Sequence, residues 1–171
     1  FDWQGDAWRT LEATDTLFAP PRIGGGGYID PASRVAVAAA RALRESVPPT
    51  APDRLGCIIG SSAGNAWSVA LAETTRLRGG RPSPLLLTHA GWNVPAALAA
   101  AELEACGPSA TLCAGGSTGR EILTVARYAL QRSRAHTILG GAVGVQALGR
   151  DRDGPRSIQA ACLMGVLSWN R

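Results

Sequence analysis

Hydrophobic positions change their period several times along this chain. In "YIDPASRVAVAAARALRESV" the apolar residues Val35, Ala38, Ala39 and Leu43 recur at helical spacing, with Asp30 as N-cap, Pro31 in the first helical position and Pro48-Pro49 as the stop. "RLGCIIGSSAG" is a short, wholly apolar run ending in small residues, the pattern of a buried strand. "NAWSVALAETTRLRGG" returns to helical spacing. "SPLLLTHAGWNVPAALAAAELEAC" starts as a loop, becomes an Ala-rich helix after Pro95, and is closed by Gly107-Pro108. "SATLC", Ser109 to Cys113, is the next strand. "STGREILTVARYALQRSR" is an amphipathic helix with Ile122, Val125, Ala126, Ala129 and Leu130 on one face. "AHTILGGAVG" and "IQAACLMGVLSW" are two further strands, separated by the polar turn "GRDRDGP".

Strands alternating with helices predict an α/β fold, layered αβα around a mixed sheet that contains Cys57–Gly60, Thr111–Cys113, Thr137–Gly141 and Ala161–Leu167. The Ala-rich helices predict close helix packing. Residues 1–27 form an irregular N-terminal segment, and residues 28–171 the domain proper. In the segment, Asp6 could cap a short helix bearing Trp8 and Leu11, before Pro20, Pro21 and the Gly24–Gly27 run end regular structure. That glycine run lacks the following Lys-Ser/Thr and the GxGxxG spacing, so it reads as a loop and not a phosphate cradle.

Composition narrows the chemistry. The chain has 171 residues, 46 % of them hydrophobic, enough for one domain with a substantial core. All 17 basic residues are arginine; with no lysine there is no Schiff-base chemistry and no P-loop. The net charge of +4 is scattered and not interleaved with aromatics. Nucleic-acid binding is therefore not expected, whereas an acidic protein partner or a phosphorylated ligand arm would suit such a surface. The four cysteines, at 57, 106, 113 and 162, form no CxxC, and two histidines add little, so no metal site is expected. Cys57 and Cys162 lie in apolar runs and read as small buried hydrophobes. No run approaches the roughly 18 uncharged residues of a membrane span, and no secretory signal stands at the start, which is Phe1 and not Met. A reduced, cytoplasmic protein is expected.

The junction "GPSATLCAGGSTGREILTVARYAL" is the candidate site. A strand that turns sharply into a helix can present a side chain above the helix N-terminus. Cys113 comes early in the turn, and Gly116 stands nearer the helix.

These strings, in this order, resemble the N-terminal half of β-ketoacyl synthases of the thiolase superfamily over roughly residues 28–168. "DPASRVAVAAARAL" is similar to the family's first long helix, "LGCIIGSSAG" to its Gly-Val-Val-Val-Gly-Thr strand, and "SPLLLTHAGWNVPAALAA" to its Ser-Pro…Asn loop, with Asn93 at the family's Asn. "GPSATL", "SRAHTILGGAVG" and "DRDGPRSIQAACLMGVLS" resemble the strands that follow. The resemblance implies a thiolase-like half-fold. The family's nucleophile lies in Thr-Ala-Cys-x-Ser-Gly. Counting from either flank puts Gly116 at the cysteine, whereas reading "CAGG" as Cys-x-Ser-Gly puts Cys113 there. Neither the family's two histidines and lysine nor its first strand is visible, and the stretch after "GGAVG" is shorter.

Decarboxylative condensation needs a thiolate acyl acceptor and donors that stabilise an enolate as carbon dioxide leaves. The resemblance therefore implies an auxiliary protein of type II polyketide or fatty-acid biosynthesis, without condensation activity of its own and without a cofactor. Its ligand would be an acyl chain carried on the phosphopantetheine arm of an acyl carrier protein, as for chain-length factors. Trp92, Asn93, Gly115, Gly116 and Ser117 are the candidate substrate-binding residues, with Trp92 either lining an apolar channel or filling the core. The alternative is a small enzyme that isomerises double bonds of a carrier-bound polyene, with His89 as acid/base and Cys113 nearby. His136 is expected to cap or to face solvent. In the superfamily the strand before the nucleophile turn pairs across a two-fold axis. The matching strand, Ser109 to Cys113, predicts a homodimer or a heterodimer with a ketosynthase-like chain, with residues 83–116 near the contact.

Overall fold

The computed structural model describes Arg9–Thr10, residues 29–148 and residues 157–168. Five strands form one mixed sheet: β1 (Arg9–Thr10), β2 (Leu55–Ser61), β3 (Ser109–Leu112), β4 (Thr137–Leu148) and β5 (Ser157–Ser168), in the spatial order β1-β5-β4-β2-β3. β2 runs parallel to both β3 and β4, and β5 is antiparallel to β4 and β1. All four expected strand segments therefore share a sheet, and β4 and β5 run longer than expected as a twelve-residue hairpin pair.

The helices are α1 (Pro31–Leu43), α2 (Ala66–Leu77), α3 (Pro84–Thr88), α4 (Val94–Glu102) and α5 (Thr118–Gln131). Side chains alternate across β2, and this alternation sorts the layers. Cys57 and Ile59 point to one face, where they pack with α1, α4, Leu139, Val143 and Met164. Ile58 points to the other face, where Ile122, Ala126, Ala129 and Leu130 of α5 meet Ile138 and Leu167. α1 is buried on nearly all sides. Alanine makes this possible, because its methyl lets α4 and the sheet approach from different directions. Asp30 caps α1 through Ala32 N at 2.9 Å and Pro31 opens the helix, as expected.

The structure corrects four expectations. β3 ends at Leu112, the partner of Gly60, so Cys113 lies outside the strand. The chain there leaves the ladder for a turn in which Gly115 has a positive φ of 55°. "SPLLLT", expected as loop, forms the short α3, because Ser83 accepts from Leu85 N and Pro84 supplies the first helical φ. The Ala-rich helix begins at Val94, with Pro95 already inside its first turn. Arg9 and Thr10, expected near a short helix, are extended and pair with Leu163 and Met164 of β5. Asp6, Trp8, Leu11, Pro20, Pro21, the Gly24–Gly27 run and the "GRDRDGP" turn lie outside the described residues, as does the side chain of Cys162.

Candidate functional site

β2 and β3 are parallel, so their C-terminal ends lie at the same edge of the sheet, the edge at which open α/β sheets place their ligands. Three segments meet there. The first is the exit from β2. Ser61 is buried and its Oγ accepts from Gly64 N at 2.9 Å. Gly64 holds φ +54°, a conformation that favours glycine. Asn65 stands at the N-cap position of α2, yet its side chain does not cap. Its carboxamide is instead spent on long-range bonds: Ser33 Oγ donates to Oδ1 at 3.1 Å, and Nδ2 donates to the carbonyls of His89 at 2.7 Å and Gly91 at 3.1 Å.

The second segment, the loop from α3 to α4, is therefore pinned by a buried amide. His89 ends α3, half-buried; its imidazole makes no hydrogen bond to any described residue. Trp92 is 64 % exposed. The expectation that it fills the core is corrected: its ring lies over Gly64, where an added Cβ would come within 2.9 Å of Cε3, and its other face meets solvent. Asn93 is exposed at the N-cap position of α4 without capping it, its Oδ1 turned toward Gly91. α4 is fixed to β3 by Ala96 N, which donates to Thr111 Oγ1 at 3.3 Å.

The third segment is the turn from β3 into α5. Cys113 is free and exposed. Thr118 Oγ1 accepts from Ala114 N at 3.0 Å and donates to Gly115 O at 2.8 Å; Ser117 Oγ donates to Ala114 O at 2.9 Å. The Ser117 hydroxyl is thus engaged within the turn. Gly115–Ser117 form one 3-10 turn that leads directly into α5. A Cβ at Gly115 or Gly116 would meet no atom within 4 Å. Gly60, by contrast, has no such room: a Cβ there would strike Thr118 and Ile122, which is how α5 comes to sit against the end of β2.

Trp92 and Asn93 lie on the loop before α4 and Gly115, Gly116 and Ser117 on the turn after β3; no hydrogen bond between described residues joins the two groups. No hydrogen bond between described residues joins His89 to Cys113. Cys57 is fully buried, and burial pushes its thiol up to about 12, so it is an inert core residue. His136 is exposed. Among the described residues no three His, Cys, Asp or Glu side chains are grouped to hold a metal, and no helix is long and apolar enough to cross a membrane.

Two functional supports escape the sequence reading. Asn65 is one; "SSAGN" offers only an Asn at a helix start, the ordinary cap signal. The other is the second role of Asp30. Its Oδ2 accepts from Ser68 N at 2.9 Å, in the first turn of α2, so a single carboxylate ties together the N-termini of α1 and α2. Burial raises its pKa; the bonds from Ala32 and Ser68 and the charge of Arg34 oppose that rise.

Residues 25–154 match the family described as Beta-ketoacyl synthase, N-terminal domain. No curated protein sequence matches the chain. Several solved structures share its fold. A chain of the ishigamide ketosynthase/chain length factor superposes with TM-score 0.64 at 16 % identity, over 92 % of this chain and 53 % of that one. A chain of the ketosynthase ApeO in complex with its chain length factor ApeC, from Xenorhabdus doucetiae, gives 0.60 at 14 % identity, over 92 % and 75 %. A chain of AntDE:AntF, a type II PKS acyl-carrier protein in complex with its ketosynthase, gives 0.62 at 16 % identity, over 81 % and 43 %. The chain thus spans about half the length of the first of these. With the thiolase-like sheet, the order of its elements and a match over most of its length, the chain belongs to the β-ketoacyl synthase N-terminal domain family.

Proposed function

We propose that this protein is an auxiliary ketosynthase-like component of type II polyketide or fatty-acid biosynthesis. It binds an acyl chain tethered to a carrier protein, a ketosynthase-like partner, or both, and does not itself condense acyl units. One observation carries the reading: in a ketosynthase N-terminal domain, the residue two places before α5 is Gly116, with open space where a side chain would stand. A thiolate there would be the acyl acceptor that condensation requires. An open glycine leaves a turn whose backbone a thioester can approach closely. Trp92 adds an exposed aromatic face at the same sheet edge, suited to the methylenes of an acyl chain. Proteins of similar fold are described as ketosynthases with a chain length factor or with an acyl-carrier protein, which supports partners of the same kind here.

Native mass spectrometry with an acyl-loaded carrier protein and with the ketosynthase encoded nearest to it tests the proposal. Association with at least one, without release of carbon dioxide from malonyl-carrier protein by this chain alone, is the expected result. Association with neither, or condensation by the isolated chain, overturns it.

A further inference from the structure

Ten residues of α1 are buried, and Ser33 alone among them is polar. It is wholly enclosed, at 0 % exposure. Alanine there would favour the helix and leave no polar atom to satisfy, so the hydroxyl is retained for its bond. It donates to Asn65 Oδ1 at 3.1 Å, from 32 positions away in the chain. On its other side Asn65 Nδ2 faces the carbonyls of His89 and Gly91, which can only accept. The amide nitrogen must therefore lie toward the loop and the amide oxygen toward Ser33, whose hydroxyl is forced to donate. The loop itself has a shape of its own: His89 N donates to Leu86 O, Ala90 N to Leu87 O, Val94 N to Gly91 O and Ala97 N to Asn93 O. Those bonds are all local. Among the described residues, only the two bonds from Asn65 Nδ2 join residues 89–93 to another part of the fold. Beside Asn65, the Trp92 ring lies over Gly64, where a Cβ would come within 2.9 Å of it, and Gly64 N is held by Ser61 Oγ at 2.9 Å. Gly64 and Asn65 thus form a seat that meets the loop at its backbone and at its ring.

We infer that Ser33 is a positioning residue for Trp92. By holding the Asn65 amide in one orientation it fixes the α3–α4 loop on the seat made by Gly64 and Asn65, and so presents one face of the Trp92 indole to the acyl ligand. The seating of the loop stands by itself, whereas its consequence for binding rests on the acyl-binding function proposed above. A ring held in place before the ligand arrives loses less freedom on binding, so the seat contributes affinity without touching the ligand. Removing the Ser33 hydroxyl leaves Asn65 Oδ1 buried without a donor. The amide is then anchored on one side only, and the two loop carbonyls lose a rigid partner.

Fluorine NMR of the full chain labelled with fluorotryptophan tests it, with the Trp92 signal assigned by Trp92→Phe and dodecanoyl pantetheine as the binding probe. Ser33→Ala is expected to shift and broaden the Trp92 signal, to leave the other four tryptophan signals in place, and to raise the dissociation constant of the probe roughly tenfold. Asn65→Asp supplies a second signature. Its carboxyl, once ionised, sets oxygens against the His89 and Gly91 carbonyls, so the Trp92 signal should leave the wild-type position as pH rises from about 5 to about 8. The wild type over the same range controls for the titration of Asp30 and His89. An unchanged Trp92 signal in both variants overturns the inference, and so does a Ser33→Ala chain in which all five tryptophan signals collapse together, since Ser33 would then serve the core and not the loop. A moved Trp92 signal with unchanged probe binding takes Trp92 out of the ligand site. A wild type that does not bind the probe overturns the acyl-binding function instead, and the Trp92 signal then decides the seat by itself.

Discussion

Asn65 shows how much of the candidate site hangs on a single buried amide. Its carboxamide satisfies the carbonyls of His89 and Gly91 and accepts from Ser33, so replacing it by Leu takes these bonds from the buried Ser33 hydroxyl and the His89 carbonyl, whereas the Gly91 carbonyl keeps Val94 N. Asn65→Leu should cost about 2–4 kcal/mol in urea unfolding, with hydrogen exchange speeding up over residues 89–92 before it does in β2. Exchange unchanged in that loop would show that its conformation is held by other contacts. Glycines give the complementary prediction. Gly116→Cys places a side chain in open space and should change stability by no more than about 0.5 kcal/mol, whereas Gly60→Ala drives a methyl into Thr118 and Ile122 and should cost about 1–3 kcal/mol. Similar losses for both would refute the open pocket at Gly116.

Asp30 belongs to the same scale and yields a pH dependence. Its folded pKa is raised by burial above the ordinary 3.8, so the native state holds this proton more tightly than the unfolded chain does. The stability this shift contributes is fully present below pH 3.8 and is lost as pH rises through the raised folded value. Asp30→Asn keeps an oxygen for Ala32 N and removes the ionisation. The stability difference, wild type minus variant, should therefore fall as pH rises from about 3.5 toward neutrality. A difference that grows over that range would mean that the two backbone bonds outweigh burial.

Among the elements, those with a strong period were legible in the residues. The Asp30-Pro31 start and the spacing of Val35, Ala38, Ala39 and Leu43 marked α1, and the Ile122 face marked α5. The short, wholly apolar run at Cys57–Gly60, ending in small residues, marked a buried strand. The site was legible as a place and less so as an arrangement. Trp92 was misjudged as a core candidate because apolar character does not settle burial when a residue lies in a loop at a sheet edge, with one glycine beneath it. Asn65 could not be found at all, since its partners are 24, 26 and 32 residues away in sequence. The position of Trp92 also separates stability from binding. Trp92→Ala should cost under about 1 kcal/mol on unfolding, because so little of the ring is buried, yet it should weaken capture of an acyl-loaded carrier protein. Loss of stability without loss of capture would assign Trp92 to packing alone.

At the scale of the whole molecule, one edge of the sheet is open. β3 hydrogen-bonds to β2 on one side and to no described strand on the other, and its four residues are exposed or half-buried. Such an edge, short and without charge, invites pairing with another chain. Nearby in sequence, α3 exposes Leu85 and Leu87, at 49 % and 56 %, and the following loop exposes Trp92. Together with β3 these residues fall within the stretch 83–116 expected at a subunit contact, and burying them against a second subunit would remove both liabilities at once. A stable contact of that kind needs roughly 1,200–2,000 Å² in total. The expected outcome is a homodimer by light scattering at micromolar concentration, or a heterodimer when a ketosynthase-like chain is supplied. Ser109→Lys puts a charge on the strand edge at an already exposed position, and Leu87→Glu does the same on α3. The double variant should remain folded and shift the population to monomer. A wild-type chain that stays a monodisperse monomer, alone and with the ketosynthase-like chain, would remove this interface from consideration.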